Sequence, residues 1–445
     1  MIAAIPLFIV SAAAAPDAPE RAHLTIVDIR RASTAEVDDL RNAPGVRWWL
    51  EMGDRLILAG DEAPGVVQRS PYTVLGEVDD VAMEQLALRA RGCKEHSDAP
   101  GAMLARGGRW ELRQLGENEA MPGDTHGEWL AVKPNTVIAR QYRPDAKAVM
   151  AADPTILPVV NAVSSARWFA DVQTLAGWDR SSYGTTSLNA ARDWIGTQFT
   201  ALGLTVTTPS FTMPYNGNTI TRHNVIGTWT GTTRPQEWII VGAHYDSRNS
   251  TITSTTNTPG AEDNASGCAG VIELARVLLP HRPQRSILFM CYAGEEQGLY
   301  GSEAHVASLQ QNGDIAKVKS VVIMDMIGYS ADNQLDATFE SDAAFSSYLD
   351  RFGAAAATYV PSLTVTLSTN PFGSDHMPYL EADKETLLAI ETDYGIYPYY
   401  HRSTDTPQNM GVNAQAMGSA ILKTNAAMLA ELTGSTDRLF ADGFQ

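Results

Sequence analysis

The segment Ser286–Ser302, SILFMCYAGEEQGLYGS, constrains the chain most. It opens with a short apolar run, SILFMCY, as expected of a strand buried on both faces of a parallel sheet. The run breaks at Ala293-Gly294 and delivers two adjacent acids, Glu295 and Glu296, ahead of Gly298. Carboxylates at the end of a buried strand are costly unless something compensates their charge. In open α/β sheets the carboxyl edge of the strands is also where ligands bind. What lies opposite this pair is therefore the question for the rest of the chain.

A length of 445 residues leads us to expect two or three domains. The 44% hydrophobic and 19% charged content fits a globular protein with a full core. Acids outnumber bases by 51 to 33, a formal net charge of -18. That balance argues against nucleic acid or an anionic membrane surface as partner, because both need a basic face. No run approaches ~18 consecutive apolar residues, so no transmembrane helix is expected. Residues 1–15, MIAAIPLFIVSAAAA, read as a secretory signal peptide, with Ala12 and Ala14 suited to a processing site. No Lys or Arg precedes the apolar run, which makes this start atypical, yet a secreted or periplasmic location is the expectation. The cysteines Cys93, Cys268 and Cys291 do not make a disulfide framework. Buried free thiols are expected at Cys268 and Cys291, with one bridge left open.

Residues 16–150 read as a small α+β N-terminal module, either a propeptide or an accessory domain. Strand patterns occur at His23–Ile29, Val46–Leu50, Arg55–Ala59, Tyr72–Glu77, Arg109–Gln114 and Glu128–Val132. Ser33 and Glu36 form a capping box for a helix through Leu40. A second helix is predicted over Val81–Arg91, with Met83, Leu86, Ala87 and Ala90 at core-facing spacing. His96 and His126 lack paired ligand spacing and are read as surface histidines. From residue 151 to 432, helical stripes at Ser164–Leu175 and Ser187–Leu202 lead into alternating strands and helices. This alternation predicts an α/β domain with a mixed, mostly parallel sheet and helices on both faces. Residues 433–445 remain as a C-terminal tail.

Further motifs end at the same predicted sheet edge. Trp238–Ala243 delivers His244-Tyr245-Asp246, and the turn GAEDNASG places Asp263 just before a helix. Val321–Met324 delivers Asp325. Leu387–Ile390 ends at Glu391, and a loop then presents His401. Each alone has an ordinary explanation: HxD occurs in surface loops, EE on solvated faces, and DNASG as an Asx turn and helix cap. Together, so many acids at strand ends need cations. Oxygen and nitrogen donors without Cys select a hard or borderline divalent ion, zinc being the commonest for hydrolysis. Two ions ~3.5–4 Å apart and sharing a carboxylate could activate water and polarise a carbonyl.

The ordered motifs HYDSR, GAEDNASG, GEEQGLYGS, MDMIGYS, GSDHMPYLEA and YHRSTDTPQN resemble the secreted two-zinc aminopeptidases of bacterial leucyl aminopeptidase and aminopeptidase Y type, over roughly residues 164–432. The resemblance implies a three-layer zinc-exopeptidase fold, two Zn2+ per chain and peptide substrates. It implies that Asp263 bridges both ions, that His244 and Asp325 complete one, and that Glu296 and His401 complete the other. Glu295 would be the general base, and Asp246 would orient His244. His376 of the Ser-Asp-His motif is a rival to His401, whose HRSTDTPQN context is the better match. Some relatives carry a tyrosine three residues before that motif to hold the oxyanion; here the position is Pro371, and no oxyanion residue is assigned.

The expected activity is removal of N-terminal, apolar residues from peptides by an exported enzyme. Glutaminyl cyclases of the same fold, using one zinc, are an alternative, as are carboxypeptidases. A non-catalytic binding module would be expected to have lost ligands, and all five are present here.

Overall fold

The computed structural model describes residues 21–68, 72–90, 99–116, 119–122, 129–144 and 151–435. The signal segment, Cys93, His96, His126 and the end of the tail fall outside these residues. The N-terminal wing comprises β1 (Arg21–Asp28), α1 (Thr34–Arg41), β2 (Val46–Gly53), β3 (Arg55–Gly60), β4 (Thr73–Ala82), β5 (Leu86–Ala90), β6 (Ala102–Gly107), β7 (Trp110–Gln114), β8 (Trp129–Ala131) and β9 (Thr136–Gln141). Three helices follow, α2 (Leu157–Ala162), α3 (Ser165–Leu175) and α4 (Thr186–Ala201), then strands β10 (Thr205–Thr207), β11 (Ser210–Tyr215), β12 (Asn218–His223), β13 (Val225–Trp229) and β14 (Arg234–His244). The remainder is α5 (Ser266–Leu278), β15 (Arg285–Tyr292), α6 (Tyr300–Asn312), β16 (Val318–Met324), β17 (Asp336–Glu340), α7 (Ser346–Tyr359), β18 (Thr364–Ser368), α8 (Met377–Glu381), β19 (Thr386–Glu391) and α9 (Ala414–Thr433).

Period-two alternation within apolar strands creates the layers. Ile239, Val241 and Ala243 of β14, with Ile287, Phe289 and Cys291 of β15, face one core. Trp168, Ile195, Val271, Phe352 and Leu422 cover that core from α3, α4, α5, α7 and α9. The intervening residues, Ile240, Leu288, Met290 and Ile323, face a second core under α6 and α8. The expected three-layer α/β architecture is present.

Helix α5 is buried along nearly its whole length and stays close to the sheet through small residues. A Cβ at Gly267 would lie 2.6 Å from the Met324 carbonyl oxygen, so glycine is what lets this helix start against the end of β16. Strands β14, β15, β16 and β19 run parallel to one another, which brings their carboxyl ends to one edge.

The sheet does not stop at β18. Its order is β10-β13-β15-β14-β16-β19-β17-β18-β9-β2-β3-β1-β4. Strand β9 pairs antiparallel with β18, from Thr366 opposite Gln141 to Ser368 opposite Ala139, and parallel with β2. The wing thus continues the same thirteen-stranded sheet. A four-stranded sheet, β6-β7-β5-β8, packs on it through Trp48, Leu50, Met52, Leu88, Trp110 and Leu112.

Two sequence expectations are corrected. The α-helix expected over Val81–Arg91 does not form across its described part: Val81 and Ala82 end β4, Met83–Gln85 is a single 3₁₀ turn, and Leu86–Ala90 is a strand lying between β7 and β8. Its five residues are all buried, because both faces are covered, one by the Trp48–Trp110 core and the other by Leu115 and Trp129. With no exposed face there is no alternation to read, and the helical spacing of its apolar residues is incidental. The buried cysteines are not free thiols either: Cys268 of α5 and Cys291 of β15 form a disulfide. The expected capping box on α1 is present, Ser33 accepting from the Glu36 amide and Glu36 accepting from that of Ser33.

Candidate metal centre

Five segments converge at the carboxyl edge. Strand β14 ends at His244, Asp325 follows β16, and Asp263 stands in the turn ahead of α5. After β15 the chain turns at Gly294, whose φ of +76° suits glycine, and presents Glu295 and Glu296. His401 comes from the loop between β19 and α9. All six side chains are buried.

They sort into two groups of donor atoms, each within 4.8 Å of one another: His244, Glu295 and Asp325 in one, Asp263, Glu296 and His401 in the other. Asp263 spans both. Its Oδ1 lies 3.4 Å from His244 Nε2 and its Oδ2 lies 3.0 Å from His401 Nε2. His244 Nε2 is also 3.4 Å from Asp325 Oδ1 and 3.8 Å from Glu295 Oε2, while His401 Nε2 is 3.3 Å from Glu296 Oε2. Ligands at about 2.0–2.1 Å from a tetrahedral zinc stand roughly 3.3 Å from each other, so these spacings fit an ion inside each group.

The hydrogen bonding gives an independent test of that fit. His244 Nε2, Asp325 Oδ1, both Glu296 oxygens and His401 Nε2 are buried without a hydrogen-bond partner. Burying such atoms unpaired is costly, and metal coordination is the compensation their chemistry offers. The residues present therefore fit two divalent ions.

The titration behaviour points the same way. Burial pushes Glu295 well above the usual carboxylate range, with Asp325, Glu296 and Asp375 adding to the shift while His244 opposes it. Burial, then the charge of Asp263, lifts Glu296 to about 7. Asp263 behaves in the opposite sense: burial would raise it, but the adjacent His244 and His401 imidazoles hold it well below the ordinary value. His401 is raised to about 9, because Glu296 and Asp263 outweigh its burial.

A surrounding layer fixes the donors. His244 Nδ1–H donates to the Asp246 carbonyl oxygen at 3.1 Å, which leaves Nε2 facing the two groups. The Asp246 carboxylate stands slightly farther away, 3.6 Å from His244 Nδ1. That carboxylate accepts from Ser182 Oγ at 2.9 Å and from the Glu295 amide at 3.4 Å. Ser182 Oγ in turn accepts from the Gly294 amide at 2.8 Å, so Asp246 and Ser182 hold the turn that carries the glutamates. Ser374 Oγ donates to Asp325 Oδ2 at 2.7 Å. The Asp405 carboxylate accepts from the Glu262 and Asp263 amides, each at 3.0 Å, and from Tyr397 Oη at 2.7 Å. Asp405 thereby ties the His401 loop to the Asp263 turn.

Arg180 is fully buried and donates to the carbonyls of Tyr245, Leu175, Pro259 and Gly260 at 2.6–2.7 Å. Burial lowers it to about 10, partly offset by Asp405 and Asp246. It is a permanent cation behind an acidic site.

Two other residues at the same edge sit apart. His376 is buried against Glu340, 3.3 Å from its Oε1, and belongs to neither donor group. Glu391 is buried at the end of β19 and also belongs to neither. Arg180, Ser182 and Asp405 were not singled out from sequence. Asp405 lies within the quoted HRSTDTPQN motif, four residues past His401, whereas Arg180 and Ser182 stand more than 60 residues before His244 with no spacing to flag them.

Residues 224–425 match the sequence model of Peptidase family M28. Over these residues the chain is similar to peptidase family M28. All five motifs that carry the donors lie inside the M28 region. The chain is 33% identical over 172 residues to a probable zinc metalloprotease of Leptosphaeria maculans, covering 36% of this chain and 39% of that protein. It is 32% identical over 200 residues to leucine aminopeptidase 1 of Arthroderma otae, covering 42% and 52% respectively. The chain thus spans about half or less of the length of these two curated relatives. Among solved structures, LapB of Legionella pneumophila superposes with a TM-score of 0.54 at 19% identity, covering 78% of this chain and 99% of that one. That last likeness concerns the fold alone.

Proposed function

We propose that the chain is a zinc-dependent aminopeptidase that removes N-terminal, apolar residues from peptides with two zinc ions. The observation that carries this reading is Asp263, with one oxygen toward each histidine and each oxygen at the edge of a separate donor group. His244 and Asp325 would complete the first ion's ligands, and Glu296 and His401 the second's. Bound there, the ions would polarise the scissile carbonyl and lower the pKa of the attacking water.

The protein's own groups supply the rest. Glu295 would accept the water's proton and return it to the departing amine. Its carboxyl is raised by burial among other acids, and the positive charge of the ions would bring it back toward a range useful near neutral pH. The Asp246–Ser182 pair keeps this residue in place by holding its amide and that of Gly294.

Preference for a free amine rather than a free carboxylate is supported by the charge around the site. Asp246, Asp375 and Asp405 add acid to an acidic cluster, and the guanidinium of Arg180 is engaged with main-chain carbonyls. An N-terminal ammonium suits such surroundings better than a carboxylate does. The relative named leucine aminopeptidase 1 supports an apolar preference. The Cys268–Cys291 disulfide supports folding in an oxidising compartment, in keeping with export. Among the described residues no helix is long and apolar enough to cross a membrane.

The test is a panel of aminoacyl amides, peptides blocked at the N-terminus and N-terminal Gln substrates, run with and without a chelator. Chelator-sensitive hydrolysis of leucyl amides is expected. Cyclisation of N-terminal Gln, or release of C-terminal residues from blocked peptides, would replace this reading.

A further inference from the structure

The N-terminal wing reaches toward the metal-donor groups through Arg109. Strands β6 and β7 are joined by a two-residue turn, Gly108-Arg109, and Gly108 takes a φ of +55° there. A Cβ on Gly108 would lie 3.7 Å from Thr338 and Thr392, so the hairpin tip rests on β17 and on the end of β19. This directs Arg109 into the body of the protein, where it is 3% exposed.

Its guanidinium makes a fork. Nη1 donates to Glu340 Oε1 at 2.5 Å and Nη2 donates to the Phe372 carbonyl at 3.1 Å. The same Glu340 oxygen accepts from the Phe372 amide at 2.8 Å and stands 3.3 Å from His376 Nε2. The guanidinium also lies 5.1 Å from the centre of the Phe372 ring. A second tether comes from β9, whose Ile138 carbonyl accepts from Asn370 Nδ2 at 2.7 Å. The loop 369–376 is therefore held by the wing at Asn370 and at Phe372. Two residues past Phe372, Ser374 holds Asp325 Oδ2 at 2.7 Å.

We propose that Arg109 is a positioning residue of the M28 site: it sets the 369–376 loop so that Ser374 aims Asp325 at its metal ion. The wing is then a working part of the site. A planar fork that binds a carboxylate and a carbonyl together is what arginine offers and lysine does not. Partners that orient a ligand from behind commonly alter metal affinity about 10–100-fold when removed.

This inference rests on the two-zinc reading, and the experiment separates them. The zinc-loaded full-length chain is titrated with a chromophoric chelator, and the ions released are counted. If the unaltered chain holds no zinc, the two-zinc reading fails and the proposal with it. If it holds zinc, Arg109→Met is expected to release one ion at about 10-fold lower chelator concentration. Ser374→Ala should do the same, and the double variant should be no weaker than Ser374→Ala alone. Arg109→Lys, which keeps a charge beside Glu340 but cannot also reach Phe372, should fall between and is the variant to read if Arg109→Met does not fold. Release at the unaltered chelator concentration with only a lower thermal midpoint would overturn the proposal, as would effects of Arg109→Met and Ser374→Ala that simply add.

Discussion

Glu295 and Glu296 are neighbours in sequence with different surroundings. Glu296 faces His401 at 3.3 Å with neither oxygen hydrogen-bonded, the position of a ligand. Glu295 lies toward His244 and Asp325, with its amide fixed by Asp246. On the proposed roles, Glu295→Gln should keep both zinc ions and lower kcat by about 10³-fold, because it removes the proposed base and leaves Glu296 and Asp263 in place. Zinc content and kcat measured on the same preparation check this; near-normal turnover would remove Glu295 from the base role. These residues were legible in sequence because each follows an apolar strand or precedes a helix. Arg180 was not, since its bonds run to main-chain carbonyls that leave no mark on the residues they come from.

Among the elements, α5 and β15 are joined where it matters. The Cys268–Cys291 disulfide connects the helix that follows Asp263 to the strand that precedes Glu295, closing a separation of 23 residues. Replacing both cysteines with serine should cost about 3 kcal/mol, the chain-entropy value for a loop of this length. Thermal or denaturant unfolding in oxidising buffer measures it, and an unchanged midpoint would show that the bridge carries no stability. Sequence could place both cysteines in apolar stretches but could not pair them, because pairing depends on α5 lying directly over β15. The strand Leu86–Ala90 was misread for a related reason: burial on both faces erased the alternation that marks a strand.

For the whole molecule, charge and the continuous sheet dominate. Without ions, Glu296 is raised to about 7 and His401 to about 9. Both folded values exceed the ordinary ones, so each group's contribution is full below its ordinary pKa, 4.5 for Glu296 and 6.5 for His401, and is lost as pH rises through the folded value. The chelated protein should therefore lose thermal stability relative to the zinc-loaded protein as pH climbs from about 5 to about 9. Calorimetry on both forms across that range tests the sign. A gap that narrows with pH would mean that the acidic cluster is compensated by something other than metal.

The wing extends the same logic. Removal of residues 1–150 should lower activity and solubility, because it exposes the edge of β18 and takes away Arg109. A rise in turnover would instead mark those residues as inhibitory. The shared sheet was not legible in sequence, since the pairing of β9 with β18 is made by main-chain groups that any residues could provide.

The central claim is a pair of ions held together by Asp263. It is tested most directly by counting zinc per chain, by elemental analysis after equilibrium dialysis, in the unaltered protein and in Asp263→Ala. The account predicts two ions in the first and loss of both together in the second. One ion in the unaltered protein, or clean retention of one in Asp263→Ala, would contradict it.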